Sequence, residues 1–294
     1  MTIQQDEINA HRLKSGQMQA YQRNGYVFPV DVYSEAEARS IRRQLEEVEA
    51  TIKDEAELLR AMHRRPSWLL PFIDAVVRDP RVVGPVTSIL GTDVLAYNAA
   101  FFIKEPNSDN FVSWHQDLHY WGFNKAEEVT AWVALSPSTA ESGCMRFVPG
   151  SHEKDVEHVD TFSDQNMLTR GQELAVAVKE EDAVDVILKA GQMSLHHGHM
   201  FHSSGANRSD DRRIGLAIRY ITPDMCQVGG ERLGASVVSG EDRVGHYEDV
   251  PPPCGIFNPQ DLDRYRRLIS LDHKVKFRGA EQKTDKQITA DAAP

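Results

Sequence analysis

The sequence predicts a mainly β fold with flanking helices around a jelly-roll core, a double-stranded β-helix of the cupin-like kind. Three observations carry this. From about position 93 the chain breaks into short β-type runs: V-L-A-Y-N-A-A-F-F-I-K, W-V-A-L, M-R-F-V, Q-M-S-L-H and I-G-L-A-I-R-Y-I-T. Gly, Pro and Ser-Asp clusters separate these runs. The stretch ahead of them reads helical, and many short strands after a helical lead-in suggest a jelly roll with helices at its side.

The elements follow in order. Ser34-Glu35-Ala36-Glu37 has the S-x-x-E form of a capping box, and apolar residues keep helical spacing to about Ile52. Leu69 to Leu90 continues as two short helices broken around Asp79-Pro80. The helical part thus spans about 5–90 and the jelly-roll core about 93–225. The acidic K-E-E-D from Lys179 to Asp182 is expected to be a solvated turn. Asn258-Pro259 supplies an N-cap and first helical position for a helix over about 259–269. The tail, 281–294, has no core pattern and is expected to be flexible. No linker divides the chain, so 1–294 is read as one domain.

Composition narrows the function. The chain has 294 residues, of which 40% are hydrophobic and 26% charged, which suits a globular protein with a sizeable core. No apolar run reaches the ~18 residues of a membrane span. The start, M-T-I-Q-Q-D-E-I-N-A, has no basic or apolar segment of a secretory signal. Three scattered cysteines fit neither a disulfide framework nor a zinc knuckle, so a cytoplasmic location is expected. A formal charge of -11 disfavours nucleic acid and anionic membrane as partners. A small-molecule substrate is the expected partner, and homo-oligomerisation is left open.

The chemistry concentrates in S-W-H-Q-D-L-H-Y-W-G, Ser113 to Gly122. Strand alternation would put His115, Asp117 and His119 on one face. Burying two imidazoles and a carboxylate is costly unless something pairs them, and a metal ion would. Eight of the twelve histidines lie between His115 and His202, and a second group, H-H-G-H-M-F-H, runs from His196 to His202. Two histidines and one carboxylate with positions left open is the donor set of a non-heme Fe(II) oxygenase. An arginine on a new strand some ten residues past the second cluster would suit the distal carboxylate of an oxo-acid cosubstrate.

These residues resemble the phytanoyl-CoA dioxygenase family of Fe(II)/2-oxoglutarate oxygenases. The resemblance is carried by W-H-Q-D-L-H-Y-W, by A-W-V-A-L-S-P-S-T-A-E-S-G-C-M-R-F-V-P-G-S-H and by H-S-S-G-A-N-R-S-D-D-R-R, over roughly Tyr97 to Pro223. A weaker match is Y-Q-R-N-G-Y-V-F-P near the start. The resemblance implies Fe(II), 2-oxoglutarate and O2 as cofactors, with His115, Asp117 and His202 on the metal. It implies Arg213 on the C5 carboxylate of 2-oxoglutarate, Ser204 assisting it, and Trp132 and Asn98 beside the cosubstrate. The presence of Asp117 favours hydroxylation over halogenation, because relatives that halogenate lack that carboxylate.

Plainer explanations compete. A hydrogen-bonded His115–Asp117 pair is ordinary in a protein core, and a solvated arginine is the usual state of Arg213. Both lose ground once His202 and Arg213 stand in register with the pair. His196, His197 and His199 rival His202, which alone has the S-S-G-A-N and Arg213 context. Tyr120 and Trp121 are read as core packing, whereas His152, after P-G-S, resembles a position near the family's site, with capping of its turn as the alternative. His119, Arg219, His197 and Gln116 are the candidate substrate contacts. Arg219 shares a strand face with Arg213, past the small Gly215 and Ala217. The expected reaction is hydroxylation of a C–H bond in a small polar or anionic metabolite, a carboxylate or phosphonate, with release of succinate and CO2. The alternatives are an acyl-CoA or natural-product oxygenase of the same family, a cupin-type dioxygenase without cosubstrate, and a non-catalytic metal-binding jelly roll. A CoA ester would need basic groups for its phosphates, and Arg64-Arg65 is a local patch of that kind.

Overall fold

The computed structural model describes residues 3–276. The chain begins with α1 (Ile3–Ala10), α2 (Ser15–Asn24) and strand β1 (Tyr26–Asp31). Four helices follow: α3 (Glu35–Thr51), α4 (Ala56–Arg64), α5 (Pro71–Arg78) and α6 (Pro80–Leu90). Next come β2 (Val94–Lys104), β3 (Val112–His115), β4 (Glu128–Ala134), β5 (Met145–Phe147), β6 (His158–Asp160) and β7 (Gln172–Leu174). The remaining elements are β8 (Val184–Asp185), β9 (Gln192–His197), β10 (His202–Ser204), β11 (Arg213–Ile221), β12 (Gly234–Ser239), β13 (Glu248–Asp249) and α7 (Pro259–Lys276).

Two sheets face each other. The major sheet runs β1-β9-β4-β11-β2-β12-β13 and the minor one β3-β10-β5-β8, with β6-β7 as a separate hairpin. Strand alternation divides the major sheet into two faces. On β11, Ile214, Leu216, Ile218 and Tyr220 are buried in the same core as Leu45, Ile73 and Val83 of the helices. Each such aliphatic side chain contributes roughly 1.5–3 kcal/mol on burial. The intervening residues Arg213, Gly215, Ala217 and Arg219 face the minor sheet, as expected from their even offsets. Trp132, Met145, Phe147, Met200 and Ala217 form the apolar packing between the sheets. The buried hydroxyl of Tyr220 donates to the Val77 carbonyl at 2.8 Å, tying the sheet to α5.

The local signals of the helices hold. Ser34 Oγ accepts from the Glu37 amide at 3.3 Å, and Glu37 accepts from the Ser34 amide at 2.7 Å. Asp79 caps α6 by accepting from the Arg81 amide, and Asn258 Oδ1 accepts from the Gln260 amide to open α7. Glu180–Asp182 forms an exposed 3₁₀ turn.

Three boundaries differ from expectation. The N-terminal part is not wholly helical: β1 pairs with β9 at the edge of the major sheet. Its Pro29 cannot donate to a ladder, and an edge is where a strand tolerates that. The β core does not end near 225, because β12 pairs with β2 and carries β13 beside it. Helix α7 continues past 269 to Lys276, since Leu268 and Val275 remain buried along its face. The expected flexible tail, 281–294, lies outside the described residues.

Candidate metal centre and adjoining cavity

Antiparallel pairing of β3 with β10 sets His115 opposite His202. Their ring centroids lie 4.0 Å apart. Nδ1 of His115 donates to the Ser113 carbonyl, and Nδ1 of His202 to the Met200 carbonyl, each at 2.9 Å. A carbonyl can only accept, so both Nδ1 atoms carry hydrogen and both Nε2 atoms are left with a free lone pair. His115 Nε2 lies 3.5 Å from Asp117 Oδ1. One ligand atom from each of His115, Asp117 and His202 falls within 4.8 Å of the others. All three residues are buried. Two neutral imidazoles and one carboxylate, with positions left over, fit ferrous iron.

The electrostatics hold these groups in their ligating forms. Burial alone would raise the pKa of Asp117, but the Arg219 guanidinium, the His115 hydrogen bond and the nearby imidazoles keep it well below the usual carboxylate range. Burial, reinforced by His115 and His196, holds His202 neutral.

Asp117 does not sit in a continuous strand. β3 ends at His115, and Asp117 adopts a helical backbone (φ -64°, ψ -47°) ahead of a 3₁₀ turn over Leu118–Tyr120. Three-residue alternation therefore fails, and His119 is a correction. Its Nδ1 is 3.4 Å from Asp155, and its ring stacks on His158 at 4.3 Å, away from the triad. Gln116 lines the cavity beside the triad, but its side-chain amide donates to the Lys154 and His199 carbonyls at 2.6 and 2.7 Å and accepts from the Val156 amide at 3.0 Å, so it also fastens loops and has no donor left for a substrate. His197 is a second correction. Its Nδ1 accepts from the His199 amide at 3.0 Å and its ring neighbours His152 at 5.6 Å, on the face of β9 turned from the metal triad.

Three of the four cosubstrate candidates, Arg213, Trp132 and Ser204, lie at the closed end. Arg213 is 1% exposed and lies over the Trp132 ring at 5.2 Å. Its Nη1 donates to the Gly143 carbonyl at 3.0 Å, and its Nε has no hydrogen-bond partner among the described residues. Among the described residues no carboxylate forms an ion pair with it. Burial pushes its pKa down to about 10, which leaves it charged at neutral pH. A narrow slot joins Arg213, Trp132, Ser204 and His202 to Arg219 and Asp117. Ser204 lines that slot, but its hydroxyl accepts from Lys104 Nζ at 2.7 Å, so lysine rather than Arg213 is its partner. Asn98 pairs across the ladder with Arg219 and borders the larger cavity, its Oδ1 without a hydrogen-bond partner among the described residues.

That cavity, about 490 Å³, opens beside the metal triad. Its wall includes Asn98, Phe102, His115, Asp117 and Arg219, and the segment Asp164–Arg170 also lines it. Arg219 Nε and Nη2 each lie 3.4 Å from Asp117 Oδ2. Its guanidinium packs against Phe102 and Trp121 at 5.4 and 5.5 Å.

Sequence reasoning left one inner-face group, Glu128, unnamed and kept another, His196, only as a rival ligand. His196, weighed as a rival ligand, has its ring 4.8 Å from that of His202, and neither of its nitrogens has a hydrogen-bond partner among the described residues. Glu128 is buried and accepts from Thr130 Oγ1 at 2.7 Å, and Thr130 lies 3.4 Å from Asp117. Burial and the Asp117 charge push the Glu128 pKa well up. Both were visible by parity: Glu128 and Thr130 alternate with Trp132 on β4, and His196 takes the opposite face from His197 on β9.

Comparison with known proteins agrees with this geometry. A family model described as Phytanoyl-CoA dioxygenase (PhyH) matches residues 21–215. The chain is 28% identical over 171 residues to a probable alpha-ketoglutarate-dependent hypophosphite dioxygenase of Stutzerimonas stutzeri, covering 57% of this chain and 59% of that protein. It therefore spans less than two thirds of that relative. It is 24% identical to a methylphosphonate hydroxylase of Gimesia maris, over 81% of this chain and 97% of that one. Among solved structures, the apo form of the non-heme monooxygenase ThoJ superposes with a TM-score of 0.80 at 30% identity, covering 88% of this chain and 97% of that one. With the family model spanning most of the chain and the His-Asp-His set in place, the chain belongs to the phytanoyl-CoA dioxygenase (PhyH) family and is a non-heme iron, 2-oxoglutarate-dependent dioxygenase.

Proposed function

We propose that the enzyme hydroxylates an unactivated C–H bond of an anionic metabolite, releasing succinate and CO2. The observation that carries the cosubstrate half of this reading is Arg213: a guanidinium that is 1% exposed and has no carboxylate partner among the described residues. An uncompensated buried charge costs several kcal/mol, so the fold keeps it for a ligand that brings the opposite charge. The C5 carboxylate of 2-oxoglutarate meets that need, with Trp132 flanking the fork. His115, Asp117 and His202 hold the metal. Bound iron with 2-oxoglutarate and O2 supplies the oxidising power that removes hydrogen from carbon. The chain's own work is to orient: Arg219 keeps Asp117 ionised, Asn98 and Phe102 border the reacting end, and Asp164–Arg170 shields it from bulk water. A metal-storing jelly roll would have no use for the unpaired Arg213.

Cavity size refines the substrate. About 490 Å³ falls in the range that holds drug-sized ligands. Hypophosphite or methylphosphonate, the substrates named for two relatives, would leave most of it empty, so we read the substrate as a larger anionic metabolite. The three cysteines are free thiols, in keeping with a cytoplasmic enzyme.

Adding Fe(II) and 2-oxoglutarate without O2 should give a weak visible charge-transfer band, lost in His202→Ala. Succinate release is then followed with a panel of carboxylates, phosphonates and acyl thioesters. If long-chain acyl thioesters alone stimulated it, the substrate class would be wrong while the oxygenase reading stood.

A further inference from the structure

The larger cavity does not end at the metal. β12 meets β2 only from Val94 to Ala96, so among the described residues no strand covers the outer edge of β2 beyond that point. Asn98, Ala100, Phe101 and Phe102 of β2 line the cavity, and so do His63, Arg64 and Arg65 at the end of α4 and Asp272 and His273 of α7. Four arginines border the cavity in all: Arg64, Arg65, Arg170 and Arg219. Three have carboxylate partners. Arg65 pairs with Asp272 at 3.1 Å, Arg170 with Asp160, and Arg219 with Asp117 at 3.4 Å. The fourth, Arg64, has none among the described residues. Its Nη1 lies 3.0 Å from His273 Nε2, a contact in which a neutral imidazole accepts and contributes no charge. Asp272, an acid whose field reaches it, is already taken up by Arg65 and by the Tyr97 hydroxyl at 3.2 Å. Burial and the adjacent Arg60 and Arg65 charges make this cation more costly still.

From this we infer a second recognition point for the substrate: Arg64, held by His273 on the outer wall, binds an oxyanion, carboxylate or phosphate, at the end of the molecule away from the reacting carbon. The inference rests on the oxygenase reading and adds where the far end of the substrate lies. It describes an elongated substrate that rounds the edge of β2, with its C–H end beside Asp117 and Arg219 and its anionic end on α4. A guanidinium suits either oxyanion because its fork offers two parallel donors.

The test uses the full chain, loaded with redox-inert Zn(II) and saturated with 2-oxoglutarate so that the Arg213 end is filled. Inorganic phosphate and, separately, propionate are titrated into it by calorimetry, and the tighter of the two identifies the oxyanion. Arg64→Gln should weaken that binding about tenfold or more, while the 2-oxoglutarate Kd stays within about twofold. Arg64→Lys, which keeps charge but not the fork, should fall between. His273→Gln repeats the measurement should Arg64→Gln fail to fold by circular dichroism, and should weaken anion binding about threefold through loss of positioning. Equal affinity in the wild type and the variants, or no binding of either anion to the wild type, overturns the inference. Failure of the oxygenase reading itself looks different: the wild type would then not bind 2-oxoglutarate.

Discussion

Two arginines on one face of β11, six residues apart, sit in opposite circumstances. Arg213 lies at the closed end, against Trp132 and the Gly143 carbonyl, with no acid among the described residues to balance it. Arg219 lies at the open end, with Asp117 beside it and about 490 Å³ of space in front. The closed end is specific before anything binds, because an unpaired charge in a narrow slot accepts one kind of partner. At the open end the charge is already balanced, and the fold offers room there. This matches the division of labour in an enzyme whose cosubstrate is fixed and whose substrate is particular to it. The same strand thus serves a fixed chemical need at one end and a variable one at the other, through parity alone.

Removing the group that links the two ends should have the largest effect. Asp117→Ala takes away the proposed metal ligand and the counter-ion of Arg219 together. Activity should fall by about a thousandfold or more, and Fe(II) affinity with it, since even indirect supports of a metal site are worth about 10–100-fold. Retained activity would mean that the triad is misassigned.

Arg213→Met comes next and separates the ends cleanly. The Kd for 2-oxoglutarate should rise by about two to three orders of magnitude, in line with the ~2–5 kcal/mol lost when one partner of a buried charge pair is removed. The cosubstrate-free fold should hold its stability or gain about 1–3 kcal/mol, because a buried unpaired charge is replaced by an apolar group of similar length. Arg219→Met should do the reverse to the empty protein, lowering its stability by about 3 kcal/mol because Asp117 is then left buried without its cation. Urea midpoints of the three proteins decide it. A common direction for both variants would erase the contrast between the two ends.

Gly215→Ala probes the space between the arginines. A Cβ there would meet Trp132 Cζ2 at 1.8 Å, so the indole that flanks Arg213 must move. A stability loss of about 1–3 kcal/mol is expected from overpacking, with a raised KM for 2-oxoglutarate and little change at the substrate end. Unchanged stability and KM would show that Trp132 is not held in place by this contact.

The parity of β11 was legible in the sequence because a strand buried on both faces still alternates, so spacing alone puts Arg213, Gly215, Ala217 and Arg219 together. His115 and His202 were legible for a different reason: their motifs carry the family resemblance. What the sequence hid depended on backbone breaks and distant packing. Nothing local says that β3 stops at His115, yet that stop sends His119 toward Asp155 instead of the triad. Gln116 looked free to face the site, and only the loops around it show that its amide is saturated. Arg64 stood out as a basic dipeptide with Arg65. Its place in the cavity wall depends on α7, some two hundred residues away in the chain, packing beside α4.

The smallest expected effect is on pH dependence, and it concerns the histidines turned away from the metal. Burial, with His199 and His152 adding to it, pushes His197 down to about 4. Burial with His119 does the same to His158, also to about 4. The unfolded chain binds protons at these rings near pH 6.5, whereas the folded one refuses them until about pH 4. The unfolded state therefore holds more protons in that window, and stability must fall as pH drops through it. Metal-free protein should accordingly lose thermal stability from pH 7 to pH 5, above the range where most carboxylates titrate. His197→Gln and His158→Gln should each flatten that slope measurably, and His158→Gln should in addition lower stability at every pH, because its ring accepts from the Gln116 backbone amide at 3.0 Å and removing it loosens the loop. A slope unchanged in both variants would assign the acid sensitivity to the inner imidazoles, and would make the metal-facing side, rather than the outer one, the pH-sensitive half of the molecule.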